Sequence, residues 1–79
     1  MQIQYQDKEL LTTIISSIRL IRKAKKITLE VFYFDTGIHL ARIEQGKTNI
    51  TISTLSKICN YFQISLVDFF IHCENNNKK

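Results

Sequence analysis

Apolar positions along this chain recur mostly at helical spacing. Leu10, Leu11, Ile14, Ile15, Ile18 and Ile21 fall three and four residues apart, as on a helix with one buried face. Asp7 suits the cap before them. Arg22, Lys23, Lys25 and Lys26 suit the negative end of the helix dipole, so the pattern predicts a first helix over about 8–25. Thr28 offers the next cap, with Glu30 in the first turn and Leu29, Phe32 and Tyr33 at helical spacing. This second helix should stop near Asp35 or Thr36, before Gly37. A short third helix is expected from His39 to Gln45, ended by Gly46.

"KTNIT" reads as a polar loop leading to Thr51, which caps a fourth helix striped by Ile52, Leu55, Ile58, Cys59 and Phe62. "FQI" interrupts it. Ser65 then caps a fifth helix carrying Leu66, Val67, Phe69 and Phe70, with Asp68 placed as in a capping box. The ends read differently. "ENNNKK" is polar enough to be expected as a disordered tail. "MQIQYQ" alternates, and is either a frayed tail or a short strand for a partner chain.

The absence of proline and the presence of only two glycines fit helices with short connections better than a turn-rich sandwich or barrel. At 79 residues the chain is expected to be a single domain, with a core over about 8–71 and flexible ends at 1–6 and 74–79. A fold of this size offers no roomy active-site cleft. Asp35, Thr36 and His39 could be written as a catalytic triad, but they stand too close in sequence to surround a substrate. We therefore expect no enzyme and no small-molecule ligand.

Two cysteines cannot make a disulfide framework, and Cys59 on an apolar stripe reads as a buried thiol. Neither C-x-x-C nor H-x-x-H spacing links Cys59, Cys73, His39 and His72, so no metal or other cofactor is implied. Neither a signal peptide nor a membrane-length apolar run is evident, and the expected location is cytoplasmic.

Charge narrows the partner. The net charge is +4, and the span Arg19–Lys57 holds eight basic residues against three acidic ones. A basic small domain commonly meets a polyanion.

The strings "IRLIRKAKKIT" (18–28), "LARIEQGKTN" (40–49), "TISTLSKICNYFQIS" (51–65) and "LVDFF" (66–70) together resemble the lambda-repressor-like, Cro/repressor-type helix-turn-helix family. The resemblance covers about residues 10–70 and implies an all-α, compact five-helix DNA-binding domain. It implies a third helix in the major groove of double-stranded DNA, and a homodimer on paired half-sites. Dimer surfaces would come from exposed Phe69 and Phe70 or from "MQIQYQ". A protein-interaction module of the same fold, antitoxin-like, is the alternative.

By the same resemblance, Arg42 would read a base edge or a phosphate. His39 would do the same or merely cap its helix. Thr36, at the edge of the same element, is expected among the DNA-binding residues. Lys47, Thr48 and Asn49 would meet phosphate, while Lys25 and Lys26 would add charge there or form a solvated helix end. Glu44 would turn away from the polyanion and pair with Arg22.

The chain departs from the family by about three residues between the cap of the second helix and the "IE" of the third, roughly one helical turn. Either Gly37 forms the turn and the third helix is short, or Thr36 caps the third helix and the second is truncated. Gly37 is favoured because glycine suits a left-handed turn. Tyr33 stands where the family has a small residue, Ile50 replaces a proline, and Leu29 replaces a phosphate-touching glutamine.

Overall fold

The computed structural model describes residues 8–46 and 49–77. Five helices follow one another: α1 (Lys8–Ala24), α2 (Leu29–Thr36), α3 (Leu40–Glu44), α4 (Ile52–Tyr61) and α5 (Leu66–Asn77). No strand occurs among the described residues. Asp7, the "MQIQYQ" segment, Lys47 and Thr48 lie outside them.

Three helices start on a hydroxyl. Thr28 Oγ1 accepts from Val31 N at 3.1 Å, Thr51 Oγ1 from Thr54 N at 3.0 Å, and Ser65 Oγ from Asp68 N at 3.0 Å. Each satisfies an N–H that the helix itself leaves unpaired.

The helix ends divide into two kinds. Gly37 (φ 75°) and Gly46 (φ 74°) supply left-handed turns after α2 and α3. After α1 and α4 the same role falls to Lys26 (φ 59°) and Gln63 (φ 60°), where no glycine marks the spot. Each is followed by an isoleucine whose N–H reaches back, Ile27 to Arg22 O at 3.1 Å and Ile64 to Cys59 O at 3.0 Å. Both isoleucines pack against the core, the apolar contact that completes this type of cap.

α1 packs against α5 and α3, α2 against α3, and α4 against α5. Every helix contributes at least one almost fully buried side chain: Ile18, Phe32, Leu40, Leu55 and Phe69, in chain order. Burying each is worth about 1.5–3 kcal/mol. Phe32 is the centre of an aromatic group. Its ring meets Tyr61 edge-on at 4.9 Å and stacks on Phe62 at 5.5 Å.

Two expectations at the C-terminal end change. Phe69 is 1% exposed and Phe70 is half-buried, so Phe69 belongs to the core and offers no dimer surface. Val67 and Ile71 are the exposed apolar residues of α5 instead. The helix also continues through Asn77, past the point where the polar tail was expected, and carries buried Cys73. Cys59 and Cys73 are both free and buried.

Candidate nucleic-acid interface

α3 is a single turn and a half, too short to hold itself together in water. Its shape comes from what it is fastened to. Leu40 and Ile43 are buried against the core. Glu44 is buried too, and is held by two arginines of α1. Arg22 donates Nε to Oε2 at 2.8 Å and Nη2 to Oε1 at 3.1 Å, a two-pronged grip. Arg19 donates Nε to Oε1 at 3.3 Å and Nη2 to the Glu44 carbonyl at 2.9 Å. Arg22 Nη1 also donates to Ile27 O at 3.0 Å. One guanidinium therefore ties the α1–α2 turn, which carries Lys25 and Lys26, to the end of α3.

Burying charge is costly unless every polar atom finds a partner. That condition is met: no buried side-chain polar atom among the described residues is unpartnered. Arg19 was missed in the sequence, although it stands one helical turn before Arg22 and so shares its face.

With Leu40, Ile43 and Glu44 turned inward, Arg42 is the exposed cation of α3. No acid pairs with it among the described residues, since Glu44 is already engaged by Arg19 and Arg22. Gly46 then turns the chain towards Lys47 and Thr48, which lie outside the described residues, and Asn49 is exposed beyond them. Lys25 and Lys26 are exposed on their turn.

The link between α2 and α3 has the first of the two expected geometries. Gly37 N donates to Tyr33 O at 2.8 Å and ends α2, and Ile38 packs against the core behind it. Thr36 is the last residue of α2 rather than a cap for α3. Its hydroxyl donates to Phe32 O at 2.8 Å and accepts from Ile38 N at 3.1 Å, so it holds the turn from within. His39 opens α3 but makes no side-chain cap bond. Its ring stacks on Tyr33 at 4.4 Å, an unanticipated contact.

No catalytic triad assembles from Asp35, Thr36 and His39. Asp35 instead accepts from the Tyr61 hydroxyl at 2.5 Å, which raises the phenol's pKa above its ordinary value, with burial and the Asp35 charge adding to the effect. Among the described residues no three metal-type ligands come together, and no helix is long and apolar enough to cross a membrane.

These five helices, with a short third helix locked by its glutamate and presenting Arg42, define a helix-turn-helix domain. A family model described as helix-turn-helix matches residues 18–69, well over half of the chain. The chain belongs to this lambda-repressor-like, Cro-type family of DNA-binding regulatory domains. No curated protein and no solved structure matches it.

Proposed function

We propose that the chain is a sequence-specific binder of double-stranded DNA that regulates transcription as a homodimer, with α3 in the major groove. The observation that carries this reading is Arg42, an exposed guanidinium without an acidic partner among the described residues, on a helix whose other anchors are all spent inward. A guanidinium in that setting fits the paired acceptors of a guanine edge. His39 would contact the duplex beside it. Lys47, Thr48, Asn49, Lys25 and Lys26 would supply donors to phosphate, which position the domain without reading sequence. Thr36 would contribute through its place in the turn, its hydroxyl being engaged.

A small domain gains affinity by pairing, and Val67 and Ile71 stand one turn apart on α5 as an exposed apolar strip for a second copy. The test is selection of bound duplexes from a random pool at two salt concentrations. Paired half-sites, with binding that weakens steeply as salt rises, are expected. Binding indifferent to salt, or no better than to an acidic peptide, would overturn the reading.

A second reading, a protein-interaction module, is favoured by α2. Phe34 is 85% exposed and lies beside Val31, between Glu30 and Asp35. An apolar face with acidic neighbours suits a protein better than DNA.

A further inference from the structure

Tyr33 and His39 sit on either side of the α2–α3 turn, and three observations make their contact more than adjacency. The rings are 4.4 Å apart and inclined by 30°, a stacked arrangement. The backbone between them is pinned at both ends, by Gly37 N on the Tyr33 carbonyl and by the Thr36 hydroxyl bridging Phe32 and Ile38. The His39 side chain forms no cap bond with its own helix, so the stack is what orients it.

We infer that Tyr33 is a positioning residue for DNA recognition: stacked on His39, it holds the imidazole so that a ring nitrogen reaches a hydrogen-bond acceptor on the duplex. This rests on the DNA-binding reading above. A free surface histidine loses side-chain freedom on binding, whereas one already stacked has lost it beforehand. The acceptor is a guanine edge or a phosphate oxygen, since both offer a lone pair to an N–H.

The test compares wild type with Tyr33→Ala, Tyr33→Phe, His39→Ala and the double alanine variant, on the selected duplex and on single-base variants of it. Tyr33→Ala should weaken binding roughly two- to tenfold, the range for a side chain that must be immobilised on binding instead of beforehand. Tyr33→Phe should restore it, because the ring and not the hydroxyl does the stacking. The double variant should bind like His39→Ala alone. A loss confined to one base position assigns the acceptor to a guanine edge, and an equal loss on every duplex assigns it to phosphate. In the free protein, the His39 ring protons should carry an upfield ring-current shift that Tyr33→Ala abolishes and Tyr33→Phe keeps. The inference is overturned if Tyr33→Phe is as weak as Tyr33→Ala, if the two alanine losses simply multiply, or if Tyr33→Ala leaves affinity unchanged. A wild-type protein that binds no duplex at all overturns the DNA reading itself, and the positioning role with it.

Discussion

Arg22 and Glu44 face each other through two hydrogen bonds, 2.8 and 3.1 Å long, with both side chains almost out of solvent. Removing one partner of such a pair leaves the other buried and uncompensated. Glu44→Ala should therefore destabilise the free protein by about 3 kcal/mol, read from urea unfolding without DNA. Arg22→Lys should recover only part, because an ammonium cannot match the carboxylate with two prongs. Arg19→Ala should cost less than about 1 kcal/mol, since its side chain is 44% exposed. An unchanged unfolding midpoint for Glu44→Ala would show the pair to be ornamental.

Arg42 and Lys47 should separate in their effects on DNA. Arg42→Ala should cost about 1–3 kcal/mol on the selected duplex and relax preference at one base position. Lys47→Ala should weaken binding alike on all sequences and flatten the log–log salt slope by about one unit. Titrations of both variants on matched and scrambled duplexes, across a salt series, distinguish the two. An Arg42→Ala loss that is the same on every sequence would move Arg42 into the phosphate-binding group.

The left-handed turns predict a pair of opposite changes. A Cβ added at Gly37 would meet nothing within 4 Å, so the cost of Gly37→Ala is purely that of the backbone angle, about 1 kcal/mol. Gly37→Asn should cost less, because asparagine tolerates this region. At Gln63, already left-handed with a full side chain, substitution to glycine should stabilise by about 0.5 kcal/mol. Thermal melts of the three variants would check the signs.

Ile71→Asp places a charge on the exposed strip of α5 without entering the core, Ile71 being 53% exposed. Sedimentation should then find a monomer, and circular dichroism a wild-type helix content. Affinity should fall on paired half-sites and hold on a single one. A variant that remains dimeric would move the interface elsewhere.

Burial raises the Cys59 thiol above the ordinary value of 9.0, with the neighbouring Cys73 adding to the shift. Burial raises Cys73 as well, against a Ser17 hydrogen bond that lowers it. A raised folded-state pKa favours the neutral thiol. The associated stability is therefore complete below pH 9.0 and is lost as pH climbs through the folded values. Urea midpoints should decline above that pH, and less so in Cys59→Ala measured against its own neutral-pH value. At neutral pH a thiol reagent should label the native protein far more slowly than the unfolded one.

Much of the architecture is legible because its signals are local. Thr28, Thr51 and Ser65 announce helix starts by chemistry that involves only three following residues. Gly37 and Gly46 announce ends in the same way. What escapes notice depends on other elements. Lys26 and Gln63 turn the chain without glycine because Ile27 and Ile64 find the core behind them. Phe69 is buried and Val67 exposed because of where α5 settles, a difference that two neighbouring apolar letters do not encode. Polar residues after Cys73 stay helical because Cys73 itself is anchored. At the site, Glu44 could be paired with Arg22 by resemblance, whereas the Tyr33–His39 stack depends on how the Gly37 turn sets α3 against α2.

The fastening of α3 by Glu44, Leu40 and Ile43 also bears on how this domain changes over generations. On the proposed DNA-binding reading, shape and base contact fall to different letters of one five-residue helix. Arg42, with Gln45 just beyond, can be exchanged at little expense to stability, as is usual for outward positions away from buried pairs. If α3 reads DNA as proposed, a lineage carrying this clamp would be free to wander in operator preference one substitution at a time, each intermediate still folded.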